Sequence, residues 1–238
     1  MEKKKIIQNY MKKLSYFLSA IFIVVGLSAC SPDDEPVIDP PAETPENPDS
    51  PENPDVPDNP DIDPNPTAGK TLVVYYSFTN NVHTVVSDLC TQIKADTVRI
   101  QPTEKGLDYA ANNYAIGSAQ IQAIRDNPGD ASSYPAIDPV EVQFEAYDTI
   151  IVAAPLWWSN MAAPLQTFLF NHGAEMAGKR IGLIVSSASS GITGVEADAK
   201  RLIPDGNFLS PSLWIRSSEI ARCHDMTAVW LKKIGYIK

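Results

Sequence analysis

A regular alternation of apolar runs and amphipathic segments begins at Lys70 and most constrains the fold of this 238-residue chain. The apolar runs are mostly continuous and rich in β-branched residues, as in parallel strands that are buried on both faces. Segments with apolar residues at helical spacing follow most of them. The pattern predicts an α/β fold, with a five-stranded parallel doubly wound sheet as the middle of a three-layer sandwich. The predicted strands are TLVVYYS, DTVRIQ (nearer an edge), YDTIIVAAP, KRIGLIVSSAS and NFLSPSLWIR.

The segments between the predicted strands give the helices and one long excursion. The last helix, DMTAVWLKKIGY, is predicted to begin with Asp225 as its N-cap, and His172 and Gly173 to end an earlier one. Residues 102–146, between strands two and three, combine a helical pattern with a loop. Excursions of this length are uncommon unless they serve a function, so we expect this one to form a wall or lid of a site. The other predicted helices are NVHTVVSDLCTQI, AAPLQTFLFNHG and GVEADAKRLI.

Residues 1–29 predict a secretory signal peptide. Lysines precede the apolar run LSYFLSAIFIVVGLSA, which ends in small residues and is shorter than the about 20 residues that a membrane span needs. The following motif, LSAC at residues 27–30, resembles the lipobox of bacterial lipoproteins; an ordinary cleavage site beside a chance cysteine is the alternative. The resemblance implies a lipid on Cys30. With Ser31 next, it also implies a cell-envelope location at the outer membrane, on its periplasmic or surface face.

Residues 30–68 are predicted to be a disordered stalk that separates the lipid from a domain at residues 69–238. Residues 31–66 hold 12 of the 20 prolines and 12 acidic residues, with no lysine or arginine. Such a segment cannot bury a core and repels itself, so it is expected to be extended and solvated. Cation binding or a proline-motif ligand is the alternative role.

Charge and cysteine content limit the partners of the domain. Residues 67–238 carry 14 basic and 16 acidic residues, and this near-neutral balance without a basic patch argues against nucleic acid. Cys90 and Cys223 are expected to be two buried free thiols rather than a bridge. Neither a CxxC motif nor a paired-histidine motif occurs in the sequence, so no metal site is predicted.

Three loops follow strands one, three and four, whose carboxyl ends should share one edge of the sheet. The first is rich in Ser, Thr and Asn and precedes a helix, an arrangement suited to an anion. The second contains Trp157 and Trp158, of which we expect one to stack on a ligand and the other to be buried. The third consists of small residues that allow a ring to approach the backbone closely. Together they predict a site for a flat, phosphorylated ligand.

These loops resemble those of the flavodoxin family, notably a branch of small bacterial flavodoxins with YYSxTGNT, YDxIxxGxPxWW...PxxxFL and GKxxxxxxTSGGSG. The chain has YYSFTNNV, YDTIIVAAPLWWSNMAAPLQTFL and GKRIGLIVSSASSG. It departs at Asn80 and Ala188, where the family has Gly, and at Val82, where the family has Thr. The resemblance implies FMN. The phosphate would lie at the first loop, at Ser77, Thr79, Asn80, Asn81 and Val82. The flavin ring would lie between the second and third loops. The second loop contributes Pro155, Leu156, Trp157, Trp158 and Ser159, and the third contributes Ser187, Ala188, Ser189, Ser190 and Gly191.

The resemblance also implies electron or hydride transfer through the flavin, with a redox protein or a quinone-like molecule as partner. A flavodoxin-like fold that has lost FMN and acts as a surface-tethered binding module is the alternative. A hydrolase is disfavoured because no G-x-S-x-G motif is present. Two local alternatives also stay open. His83 either adds charge beside the phosphate or is an exposed residue of the first helical turn. Tyr109 and Tyr114 either face a substrate or pack within the excursion.

Overall fold

The computed structural model of the protein describes residues 69–237. The predicted signal peptide, the lipidation at Cys30 and the stalk lie outside the described residues. Within residues 69–237, none of the helices combines the length and the apolar character needed to cross a membrane.

The described part of the chain forms one sheet with helices on both faces. Its strands are β1 (Thr71–Tyr75), β2 (Asp96–Arg99), β3 (Thr149–Trp157), β4 (Asn160–Met161), β5 (Arg180–Ser187), β6 (Asn207–Phe208) and β7 (Leu213–Arg216). Its α-helices are α1 (Asn81–Gln92), α2 (Ala111–Asp126), α3 (Ala163–His172), α4 (Thr193–Leu202) and α5 (Cys223–Lys233). Short 3₁₀ turns lie at Ala131–Ser133, Phe144–Ala146, Gly173–Met176 and Ser217–Arg222.

The strand order confirms the predicted doubly wound topology. The parallel strands follow the order β2, β1, β3, β5, with β6 and β7 both paired to β5, and β2 is an edge strand as its alternating pattern predicted. The predicted fifth strand is divided into β6 and β7, which pair with the start and the end of β5. Pro211 lies between them, and its missing N–H prevents an unbroken ladder. The two-residue β4 turns back antiparallel onto the end of β3.

Burial on both faces explains why the strands read as continuous apolar runs. Leu72 and Val74 of β1 point to a core shared with α2, α3 and α4. Val73 and Tyr75 point to a second core shared with α1 and α5. Because successive side chains alternate between the faces of a strand, every position of β1 is buried, and the three layers follow directly.

The predicted N-cap of the last helix was wrong by three residues, since the N-cap is Arg222 and not Asp225. Helix α5 begins at Cys223, so Asp225 lies within its first turn and is not the N-cap. The 3₁₀ turn Ser217–Arg222 runs directly into the helix, which therefore needs no new start at Asp225. His172 is the last residue of α3, as the sequence predicted.

Both cysteines of the described residues are free thiols, with Cys223 buried and Cys90 only partly buried. Burial raises the pKa of each thiol above its ordinary value, so less of the reactive thiolate is present at a given pH.

We therefore expect both thiols to react slowly with iodoacetamide at pH 8 in the folded protein and rapidly in denaturant. Peptide mass spectrometry would follow the peptides that contain Cys90 and Cys223 separately. Labelling of the folded protein as fast as that of free cysteine would contradict the burial of these groups.

Candidate functional site

Residues 77–82, which are the end of the loop after β1 and the first two residues of α1, are called the cradle. Helix α1 begins at Asn81, the side chain of its N-cap residue Asn80 makes no capping hydrogen bond, and its first turn has no acidic residue. The His83 N–H donates to Ser77 Oγ at 3.1 Å. The N–H groups of Asn81 and Val82, the first two of the helix, have no acceptor within the helix. The cradle therefore presents backbone donors and the positive end of a 12-residue helix to an anion.

The two substitutions in the cradle have different structural consequences. Asn80 adopts φ 63, the left-handed region that its family Gly would occupy, and Asn tolerates this region better than most residues. Val82 is 2% exposed and packs with α1 against the sheet. Its side chain lies in the core, so position 82 offers the cradle only its backbone N–H.

His83 is not the exposed residue of the first helical turn that one of the two alternatives expected. It lies in the first turn of α1 but is partly buried, and its Nδ1 is 2.8 Å from the Tyr75 hydroxyl, with the two rings stacked at 5.9 Å. Burial raises the pKa of Tyr75, which keeps that hydroxyl protonated and able to donate to Nδ1. The His83 ring is therefore held against Tyr75 of β1 by a hydrogen bond and by ring stacking.

Arg99, the last residue of β2, is a residue of this site that the sequence reasoning missed. Its Nη2 lies 3.3 Å from the Ser77 carbonyl oxygen and 3.3 Å from Asn80 Oδ1. The register of β2 on β1 places Arg99 opposite Tyr75, directly before the cradle. The strand order would have indicated Arg99, because an edge strand that runs parallel to β1 ends next to the loop that follows β1.

The second loop brings the two tryptophans to the same edge. Strand β3 runs through Trp157, and Trp158 and Ser159 turn it back with φ values of 45 and 66. Trp157 is partly buried and contacts Tyr76, Phe78 and Tyr109 at ring distances of 5.6, 6.3 and 5.0 Å. Trp158 is 40% exposed. Trp157 is therefore the packed member of the pair, and Trp158 is the one accessible from solvent.

The excursion between β2 and β3 forms a wall against these tryptophans. Tyr109 is buried beneath Trp157, whereas Tyr114 is 50% exposed. A Cβ on Gly117 of α2 would lie 3.1 Å from the Trp158 ring, so the helix passes very close to that indole. The excursion and the two tryptophans line a cavity of about 190 Å³, called the aromatic slot. Its lining residues are Phe78, Tyr109, Tyr114, Gly117, Leu156, Trp157 and Trp158.

The third loop divides into one buried residue and an exposed rim. Ser187 is 5% exposed; its Oγ donates to the Ser190 carbonyl and accepts from Trp214 Nε1. Its hydroxyl therefore holds the loop, whereas Ala188, Ser189, Ser190 and Gly191 are exposed. The start of α4, which follows this loop, meets the second loop at Gly194, where a Cβ would lie 1.9 Å from the Ser159 carbonyl oxygen.

A buried polar network, the turn clamp, fixes the Trp158–Ser159 turn from below. Asp198 of α4 is 6% exposed, and its Oδ2 accepts from the Met161 N–H and from Asn160 Nδ2, each at 2.9 Å. Arg125 donates to Asn160 Oδ1 at 2.8 Å and also to the Trp158 carbonyl. Sequence reasoning missed this network, although an aspartate on the buried stripe of GVEADAKRL was a visible signal.

Metal ligands do not cluster in the described part of the chain: no group of three or more His, Cys, Asp and Glu residues there could hold an ion.

Residues 70–234 match the sequence model of the family described as flavodoxin, in agreement with this geometry. The chain belongs to the flavodoxin family. No curated protein matches the sequence. Among solved structures, this flavodoxin chain is similar to three proteins called flavoproteins, at identities that show a shared fold. The first, from Bacteroides eggerthii, is 22% identical and covers 70% of this chain and 98% of its own, with a TM-score of 0.56.

The other two are similar over comparable lengths. The protein from Bacteroides uniformis is 24% identical and covers 70% of this chain and 99% of its own, with a TM-score of 0.53. The protein from Lactobacillus acidophilus, which was solved in complex with FMN, is 21% identical. It covers 65% of this chain and 98% of its own, with a TM-score of 0.51.

The residues of this flavodoxin domain fit FMN, the cofactor that the family implies. The cradle offers uncapped N–H groups and a nearby cation to a phosphate. The aromatic slot, about 190 Å³, is smaller than the roughly 300–1,000 Å³ of pockets that enclose a whole ligand. The aromatic slot is large enough for one edge of a flat ring. The rest of the ring would lie along the exposed rim of Ala188–Gly191.

Proposed function

We propose that this protein binds FMN and carries out electron or hydride transfer through it outside the cytoplasm. The observation that supports this most is that an uncapped anion cradle, an aromatic slot and an exposed rim of small residues meet at one sheet edge in a flavodoxin domain. The similar protein from Lactobacillus acidophilus, solved with FMN, adds to this support.

The roles of the residues follow from their positions and contacts. The N–H groups of Asn81 and Val82 and the hydroxyl of the exposed Thr79 would bind the phosphate, and Ser77 holds the start of α1. Trp158 offers an accessible aromatic face to the ring, and Trp157 supports it from the buried side. A bound flavin supplies the redox chemistry, and the surrounding protein groups adjust which of its states is favoured.

The exposed rim favours a partner that reaches the flavin from solvent. Residues 188–191 are all exposed, so a redox protein or a quinone-like molecule has access to this edge. A lipid on Cys30 would attach the protein to the cell envelope at the outer membrane, and residues 31–66 would act as the spacer.

The test is an FMN titration of the full-length protein in detergent, followed by absorbance and by quenching of flavin fluorescence. We expect quenching at micromolar protein. A folded protein that binds no FMN at about 100 µM, a Kd corresponding to only some −5.5 kcal/mol, would instead favour the tethered binding module.

Substitution of the exposed tryptophan tests the aromatic face. Trp158→Ala should weaken FMN binding about tenfold, because an aromatic pair contributes about 0.5–1.5 kcal/mol beyond the area that it buries. Trp158→Phe keeps a ring and should lose much less. Trp157→Ala should additionally lower the melting temperature, since Trp157 packs against Tyr76, Phe78 and Tyr109. Equal FMN affinity in Trp158→Ala and the wild type would contradict stacking on Trp158.

A further inference from the structure

Arg99 contacts the cradle only through neutral acceptors. Its Nη2 is bonded to the Ser77 carbonyl and to the Asn80 side-chain oxygen, both at 3.3 Å, near the long limit for such bonds. Its guanidinium carbon is 6.0 Å from the centre of the Tyr75 ring. These contacts hold the cation beside the start of α1 without supplying a counter-charge.

The charge and one donor of Arg99 lack partners in the described residues. None of the ion pairs within residues 69–237 includes Arg99, and α1 has no acidic residue in its first turn. The Nε–H of Arg99 is buried and has no hydrogen-bond partner there. A guanidinium carries five donors and is always charged, so such an arrangement has unused capacity for an anion.

We propose that Arg99 pairs with the phosphate of the bound flavin and selects the phosphorylated cofactor over its unphosphorylated form. This inference rests on the proposed function, because it assigns a specificity-determining residue to that site. Arginine binds phosphate through charge-assisted hydrogen bonds, which are stronger than those of a hydroxyl. Arg99 also donates a hydrogen bond to the carboxamide oxygen of Asn80, the residue that replaces a family Gly.

The experiment compares FMN with riboflavin, which lacks the phosphate, on the full-length protein in detergent. Arg99→Gln should weaken FMN binding about 10- to 100-fold, as expected for lost hydrogen bonds to a charged group, and leave riboflavin binding unchanged. Arg99→Lys keeps the charge and should retain part of the preference. Arg180→Gln is the matched control. Arg180 is the first residue of β5, at the edge of the sheet opposite the cradle, and its side chain donates to the Gly235 carbonyl.

The outcomes separate this inference from the proposed function. Unchanged FMN affinity in Arg99→Gln, or an equal loss for FMN and riboflavin, would overturn the role of Arg99 while FMN binding itself stands. If the wild type binds neither flavin, the proposed function fails. Binding of inorganic phosphate then tests whether Arg99 forms part of an anion site. A rise in melting temperature with phosphate that is lost in Arg99→Gln would support an anion site, and no rise in the wild type would overturn it.

Discussion

Asp198→Ala is expected to lower the free energy of unfolding by about 3 kcal/mol, because it leaves buried donors without an acceptor. The carboxylate is 6% exposed and accepts hydrogen bonds from the Met161 N–H, Asn160 Nδ2 and Arg201 Nη2. Without it, Asn160 loses the contact that joins the tryptophan turn to α4. FMN binding should therefore weaken together with stability.

Denaturant unfolding followed by tryptophan fluorescence measures the first effect, and an FMN titration measures the second. Glu196→Ala, on the same helix, is the matched control and should cost less than about 1 kcal/mol, since this first-turn residue contributes mainly through the helix dipole. Asp198→Asn keeps the shape and one acceptor and should lie between the two. Wild-type stability in Asp198→Ala would show that the turn clamp does not hold the second loop.

Gly194→Ala should have the second large effect, because two backbones meet at this position. The added Cβ would lie 1.9 Å from the Ser159 carbonyl oxygen, so the second loop and the start of α4, which follows the third loop, must move apart. Overpacking costs about 1–3 kcal/mol, and a clash with backbone rather than a flexible side chain places this variant at the upper end. If the flavin lies between these loops, its affinity should fall by up to about 100-fold.

Gly129→Ala is the control for Gly194→Ala, since nothing lies within 4 Å of a Cβ at that position. It should retain both stability and FMN binding. Circular dichroism of Gly194→Ala would establish that the domain is folded. A folded Gly194→Ala protein with wild-type FMN affinity would contradict the joint use of the two loops.

The fold was predictable because its strands are buried on both faces. No position of β1 or of the first six residues of β3 faces water, so local hydrophobicity alone marked them. The interruption of the last strand at Pro211 was not predicted, although a proline within a strand pattern signals a break. The start of α5 was misplaced because a 3₁₀ turn precedes it and Asp225 resembles a cap.

The site was predictable only where it is contiguous in sequence. Motifs located the cradle and the tryptophan loop, but Arg99 and Asp198 act on loops that lie far from them along the chain. Their contacts depend on which strand neighbours β1 and on how α4 packs beneath β4, and neither is local information. Likewise, the pairing of His83 with Tyr75 depends on the exit angle of α1 from the sheet.

The edge strands of the sheet are short, and this affects how copies of the protein interact when they are crowded together. On one side β2 has only four residues, of which Asp96 is exposed and paired with Lys70. On the other side the ladder is divided between the two residues of β6 and the four of β7. Neither edge offers a long, flat, apolar template, so a second copy has little backbone to add to. Domains gathered at high density on one surface should therefore resist amyloid-like growth by strand addition.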